Sequence, residues 1–194
     1  KLTRRCIEII AQMGFGLSIL TKSAHILRDL DLLKQINGRS KCVVQMTLTT
    51  CDEDQCRIIE PHVCTTSRRA QVLEIMRVEG IPAIIWMCPI LPFINDTEEN
   101  IQGIIEYGER ARVHGILAFD IGVTLRDGDR QYFYSRLKES EIISRNGKKS
   151  YTYRIKEQVC PRQAYEEEVD RILMVQSEFY PEILTEENQK AIKQ

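Results

Sequence analysis

Amphipathic helices and short apolar strands alternate four times along this chain, which predicts an α/β domain on a parallel sheet. Three observations carry that prediction. Apolar residues recur at helical spacing in four separate segments. Each of those segments runs into a short apolar stretch of strand character. Successive strands are separated by roughly 25 to 40 residues, the length of a βα unit. Neither periodicity nor spacing separates a barrel from an open sheet.

Thr3 is placed to cap a first helix with Cys6, Ile7, Ile10 and Met13 inward and Gly14 at its end. Leu17 to Leu20 reads as the first strand. A second helix follows Ser23, with Ile26, Leu27, Leu30 and Leu33 inward and Gly38 closing it. Cys42 to Leu48 is the second strand, and Asp52 to Ile59 a short helical turn. Ser67 is expected to cap a third helix carrying Val72, Ile75 and Met76, with Gly80 at its end. Ile81 to Met87 is the third strand, apolar throughout as if covered on both faces. Asp96 and Glu99 have capping-box spacing and open a fourth helix through Ile101, Ile104, Ile105 and Ala111. Gly115 stops it, and Ile116 to Ile121 is the fourth strand. Beyond Leu125 the pattern changes. Tyr132 to Leu137 reads as a short helix, Asn146-Gly147 as the turn of a basic hairpin, and Ala164 to Gln176 as an acidic amphipathic helix. The domain reading is 1–137 for the α/β portion and 138–194 for a hairpin and helix extension.

Composition narrows the function classes. The 194 residues suffice for one domain with a sizeable core. A formal net charge of −1 gives no global basic field to draw the chain onto nucleic acid. Seven scattered cysteines, several in apolar runs, suit reduced thiols of a cytoplasmic protein better than a disulfide framework. No two have CxxC spacing, so no metal site is expected. The longest apolar stretch, Ile81 to Ile94, is short and broken by prolines, so no membrane partner is expected.

The candidate site lies where the strands end, the edge at which ligands bind in parallel α/β sheets. Thr21, Lys22 and Ser23 follow the first strand. Thr47, Thr49 and Thr50 lie at the end of the second, Pro89-Ile90-Leu91-Pro92 follows the third, and Asp120 lies near the end of the fourth. A lysine there is placed to meet a carboxylate, and threonine hydroxyls to meet a ribose. The competing reading has Thr and Ser capping the next helices and Lys22 solvated. Glu60 reads better as the partner of a basic residue such as Arg69 than as an acid or base. The aromatic residues among the basic ones of the hairpin region read better as core and a solvated turn than as a base-stacking surface. No Gly-rich phosphate loop follows a strand, and no GxSxG elbow occurs.

The segment Leu2-Thr3-Arg4-Arg5, then Phe15 through Leu33, resembles the middle of the spore photoproduct lyase-like radical S-adenosylmethionine proteins, a family often labelled DNA repair photolyases. Glu60-Pro61, Arg69, Gly80-Ile81-Pro82, Pro89-Ile90-Leu91-Pro92 and Asn95-Asp96 extend the match, which covers Leu2 to Leu137. The resemblance implies a partial (β/α)6 barrel. It implies S-adenosylmethionine and a [4Fe–4S] cluster as cofactors, with a 5′-deoxyadenosyl radical abstracting hydrogen from substrate. By position, Lys22 resembles the family lysine that meets the S-adenosylmethionine carboxylate. Thr21 and Ser23 flank it, Thr47 and Thr49 lie on the strand that offers polar groups to the cofactor, and Ile90 with its neighbours such as Pro89 resembles the apolar edge that packs on adenine. DNA enters as a partner through family naming alone.

The cluster-binding CxxxCxxC motif is absent from these residues. The expectation is therefore a carboxyl-terminal portion of such an enzyme. It would be inactive alone, hold neither cofactor by itself, and lack the amino-terminal barrel strands as its partner. Four strands cannot close a barrel, so the first strand should present an edge. Two other classes stand beside this reading: a non-catalytic α/β binding module, and a cluster-independent barrel enzyme using Lys22 as nucleophile.

Overall fold

The computed structural model describes residues 2–91, 94–118, 132, 133 and 135. The expected hairpin, the acidic helix, Asp120, the boundary at Leu137 and the end of the fourth strand lie outside the described residues. Tyr132, Phe133 and Ser135 are helical, as expected there.

The elements follow in the order α1 (Leu2–Met13), β1 (Leu17–Thr21), a 3-10 turn (Ala24–Asp29), α2 (Leu30–Ser40), β2 (Cys42–Thr47), α3 (Glu53–Ile59), α4 (Thr66–Val78), β3 (Ala83–Trp86), α5 (Glu98–Ala111) and β4 (Gly115–Leu117). The four strands form one parallel sheet in the sequential order β1-β2-β3-β4. Leu17 pairs with Cys42, Val44 with Ala83, and Ile84 with Gly115. Parallel neighbours joined by right-handed crossovers carry their helices on one side when the order never reverses. Burial agrees. Val44, Met46, Ala83 and Ile85 on one face are buried, whereas Val43, Gln45, Ile84 and Trp86 on the other are half-buried. The third strand was expected to be covered on both faces; it is fully covered on one.

The second face carries a polar row across three strands. Gln45 donates from Nε2 to Ser18 Oγ at 2.6 Å and accepts the Trp86 indole N–H. Hydrogen-bonded polar side chains in this row tolerate partial exposure that an apolar core would not.

Three of the helices stop in the same way before their strands. After α1, Phe15 N–H donates to Ile10 O at 3.2 Å; after α4, Ile81 N–H donates to Met76 O at 2.9 Å; after α5, Val113 N–H donates to Gly108 O at 3.0 Å. Each of these bonds needs a left-handed residue at the turn. Gly14 (φ +74), Gly80 (φ +69) and Arg112 (φ +47) supply it. The expected stop at Gly115 is therefore three residues late, and Gly115 starts β4 instead. Gly38 does not close α2, which runs on to Ser40; Lys41 (φ +76) follows it. The third helix has Thr65 at its N-cap position, two residues earlier than expected and without a side-chain cap hydrogen bond, and the Ser67 N–H is taken by Glu53 Oε1 at 2.6 Å.

The described residues divide between two compact units, one holding residues 2–88 and 100–118, the other containing residues 89–91 and 94–99. In the first, α1 packs on α2 through Ile7 and Ala11. Of the inward face expected for α1, Ile7 is buried, whereas Cys6 and Met13 are exposed. Arg4 ties the helix down further. It holds Asp31 through Nη1 at 3.0 Å and Nη2 at 2.8 Å, and reaches buried Asp29 at 3.2 Å. Arg28 grips Asp29 from the other side at 2.9 and 2.7 Å. The Arg4 hydrogen bond brings the Asp31 carboxyl down to about 2. Carboxyl NMR titration should therefore find Asp31 near that value in the wild type. In Arg4→Ala it should return toward an ordinary carboxylate, and an unchanged titration would remove Arg4 as the cause.

Candidate functional site

The site is built at the carboxyl ends of β1 and β2. The Thr21 hydroxyl accepts from the Ser23 N–H at 3.0 Å, and Ser23 Oγ accepts from the His25 N–H at 3.1 Å. Ser23 thereby caps the 3-10 turn, and the pair forms the local hydroxyl turn typical of such sequences. Both hydroxyls are occupied in shaping the backbone. Lys22, between them, points its ammonium at Glu60 Oε1, and its carbonyl accepts from Cys64 Sγ at 3.1 Å.

Glu60 caps the far end of α3, and its side chain is 8% exposed. A buried carboxylate needs compensating cations and donors. Arg69 Nη2 supplies one at 2.7 Å, Lys22 another, and the Thr49 hydroxyl approaches at 3.4 Å. Burial pushes the Glu60 carboxyl up, but the Lys22 hydrogen bond and the Arg69 charge pull it down by more. It ends below the usual carboxylate range. The Glu60–Arg69 pair expected from the sequence is formed.

Arg69 is the deepest member, 0% exposed in the first half of α4. It donates from Nη1 to Thr47 O at 2.8 Å and from Nη2 to Cys56 Sγ at 3.1 Å. Its Nε has no partner among the described residues. One guanidinium thus joins the end of β2, α3 and the Glu60 carboxylate. Thr47 and Thr49 are buried here, and their backbone carbonyls do as much as their hydroxyls.

The loop after β2 is clamped from α5. Asn100 donates from Nδ2 to Thr49 O at 3.0 Å and accepts the Cys51 N–H at 2.8 Å. Thr66 Oγ1 donates to Thr50 O at 2.6 Å. The helix comes close here: a Cβ on Gly103 would lie 2.7 Å from Cys51 Sγ. Neither Asn100 nor the depth of Arg69 was evident from the sequence. A lone Asn in the first turn of a helix gives no signal of the loop it will meet.

Pro89 and Ile90 lie in the second unit. Asn95 bridges the turn there, donating to Pro89 O at 3.2 Å and accepting the Leu91 N–H, and Ile90 is buried. Among the sites expected from sequence, Thr21, Lys22, Ser23, Thr47 and Thr49 share one sheet edge, while Pro89 and Ile90 stand in that separate unit.

Six cysteines among the described residues are free thiols. Burial pushes the Cys42 thiol up to about 11, as for an inert core side chain. No group of three or more His, Cys, Asp or Glu among the described residues is placed to hold a metal ion. None of the described helices is long and apolar enough to cross a membrane.

No known family model and no solved structure matches the chain. It is similar to an uncharacterized protein of Mycobacterium tuberculosis (strain H37Rv), 28% identical over 141 residues, which are 72% of this chain and 41% of the relative. An uncharacterized protein of Methanocaldococcus jannaschii is 34% identical over 98 residues, covering 50% of this chain and 36% of its own length. A third, of Acidianus two-tailed virus, is 27% identical over 104 residues, covering 54% and 34%. The match spans about two fifths of the length of the mycobacterial relatives.

Two outcomes follow. Arg69→Leu leaves a buried carboxylate short of a partner and should lower the unfolding free energy by about 3–5 kcal/mol in urea titration. A loss within the ordinary surface range would show that Arg69 is dispensable. Glu60, held below its unfolded value, adds stability above roughly pH 4.3, and that stability is lost as pH falls through the folded value. Glu60→Gln should accordingly flatten the acid limb of stability against pH, and parallel limbs would refute the assignment.

Proposed function

We propose that this chain forms the S-adenosylmethionine-binding portion of a radical S-adenosylmethionine, spore photoproduct lyase-like barrel. The observation that carries this reading is Lys22, an ammonium held at the carboxyl edge of a sequentially ordered parallel sheet by a buried Glu60–Arg69 pair. A sheet whose strand order never reverses, with helices on one side, is the arrangement of a barrel segment. Family resemblance supplies the rest.

The residues present fit one part of the cofactor set. Lys22 is 39% exposed and uses one donor direction on Glu60, leaving ammonium donors for a ligand carboxylate. Glu60 fixes where that charge sits, and Arg69 fixes Glu60. Thr47 and Thr49 shape the wall beside it. S-adenosylmethionine bound there would supply an activated carbon–sulfur bond. The [4Fe–4S] cluster does not fit the described residues, which offer no ligand set for it, and the 194 residues contain no CxxxCxxC. No reaction step is assigned to this chain alone, and the reading requires the cluster ligands to come from further polypeptide of the same protein. Action on damaged DNA rests on the family name.

The missing cysteine motif equally favours a second reading, a binding module that keeps the sheet-edge site without a cluster. A Schiff-base role for Lys22 is disfavoured. Nucleophilic lysines sit in apolar pockets or beside another cation, whereas Lys22 sits beside a carboxylate.

Equilibrium binding of S-adenosylmethionine and of 5′-methylthioadenosine, which lacks the carboxylate, to the longer protein that supplies the cluster ligands tests the proposal. Lys22→Met should weaken the first at least about tenfold, the effect of losing one charge-assisted hydrogen bond, and leave the second unchanged. Equal weakening of both, or no saturable binding by the wild-type longer protein, would overturn it, and saturable binding by the 194 residues without iron would favour the binding module. Turnover by the 194 residues supplied with iron and reductant would refute the expected inactivity.

A further inference from the structure

The second face of the sheet carries a polar row whose hydrogen bonds all run in one direction. Ser18 and Leu20 stand on this face from β1, Val43 and Gln45 from β2, Ile84 and Trp86 from β3, and Leu117 from β4. None of them is charged. Ser18, Leu20 and Leu117 are exposed, and the other four are half-buried. An indole nitrogen can only donate, so the atom of Gln45 that faces Trp86 must be the amide oxygen. That fixes the amide, and its nitrogen is left to donate to Ser18 Oγ at 2.6 Å. Each oxygen of the row therefore already accepts a bond. Two hydrogens are left unspent among the described residues, the second Gln45 N–H and the Ser18 O–H. A hydroxyl that accepts one bond becomes the better donor of the next.

We propose that this face is a binding site for an uncharged small molecule that presents a carbonyl acceptor from a flat apolar body. Gln45 and Ser18 donate to the carbonyl, and Leu20 and Ile84, on either side of Gln45 in the strand register, meet the apolar part. Complementarity sets the ligand class. A face without charge gives no compensation to an ion taken out of water, which excludes charged ligands. Donors left unmet by a ligand lose their bonds to water, which selects an acceptor over a donor. Trp86 is the residue that decides this selectivity, because its indole N–H holds the amide in one of its two orientations. The row lies within β1, β2 and β3, so the site rests neither on S-adenosylmethionine nor on the barrel reading.

Trp86 is the only tryptophan of the 194 residues, so its indole N–H gives a single reporter signal in a nitrogen–proton NMR spectrum. The chain is titrated with N-methyl-2-quinolone, which accepts through its carbonyl and has no donor, and with indole, a two-ring probe that donates and has no carbonyl. Affinities come from equilibrium dialysis, and the Trp86 signal locates the binding. N-methyl-2-quinolone is expected to bind saturably, to shift the Trp86 signal, and to bind at least about threefold tighter than indole, the effect of one neutral hydrogen bond. Trp86→Phe frees the Gln45 amide to turn over and should bring that ratio to about one. Gln45→Glu replaces the amide donor by a carboxylate that accepts from both Trp86 and Ser18, and should reverse the preference toward indole. That variant keeps the proposal testable if Trp86→Phe does not fold. No saturable binding of N-methyl-2-quinolone, saturation without movement of the Trp86 signal, or indole binding as tightly would each overturn the proposal. An unchanged preference in Gln45→Glu would overturn it as well.

Discussion

A buried guanidinium governs the candidate site. Arg69 is enclosed in α4, and its donors are divided among the end of β2, a thiol on α3 and the Glu60 carboxylate. Because the charge is enclosed, its position is costly to change. Glu60 is therefore held, and Lys22 with it. The exposed end of this chain of contacts is a lysine ammonium whose placement is set from the core. Asn100 and Thr66 hold the intervening loop by its backbone, so strand end, loop and helices are tied together.

The sheet imposes the second constraint. Sequential parallel order sends every crossover to one side, so one face becomes core and the other is left with Ser18, Gln45 and Trp86 linked in a polar row. The same order makes the site one-sided. All strands end on one edge, and the loops after β1 and β2 meet there. The paired arginines and aspartates around Asp29 serve a different purpose, locking α1 to the turn that follows Lys22. The apolar stripe left exposed on α1 is the counterpart of that lock, a helix fixed on one side and open on the other.

Local chemistry made much of this legible in advance. Alternation of apolar periods located four strands and the helices between them, because a strand or helix that buries one face must repeat apolar residues at its own period. Ser23 was readable as a cap since a side-chain oxygen can satisfy only the amides next to it. Lys22 and the threonines were readable as a strand-end group, and Glu60 as the partner of Arg69. Helix stops were read less well. Gly115 looked like the end of α5, yet Arg112 adopts the left-handed turn, and Gly38 is carried through α2. Glycine permits a break without requiring one.

The sequence by itself determined the class of fold, the placement of its strands and the residue types gathered at their ends, because these depend on periodicity and short-range capping. Tertiary structure alone decided which side of α1 is buried, that the third strand is covered on one face, and that Asn100 clamps the loop after β2. It also decided how deeply Arg69 lies. Those outcomes depend on which surfaces meet across long sequence separations, and no local pattern encodes the partner that a side chain finds when the chain closes on itself.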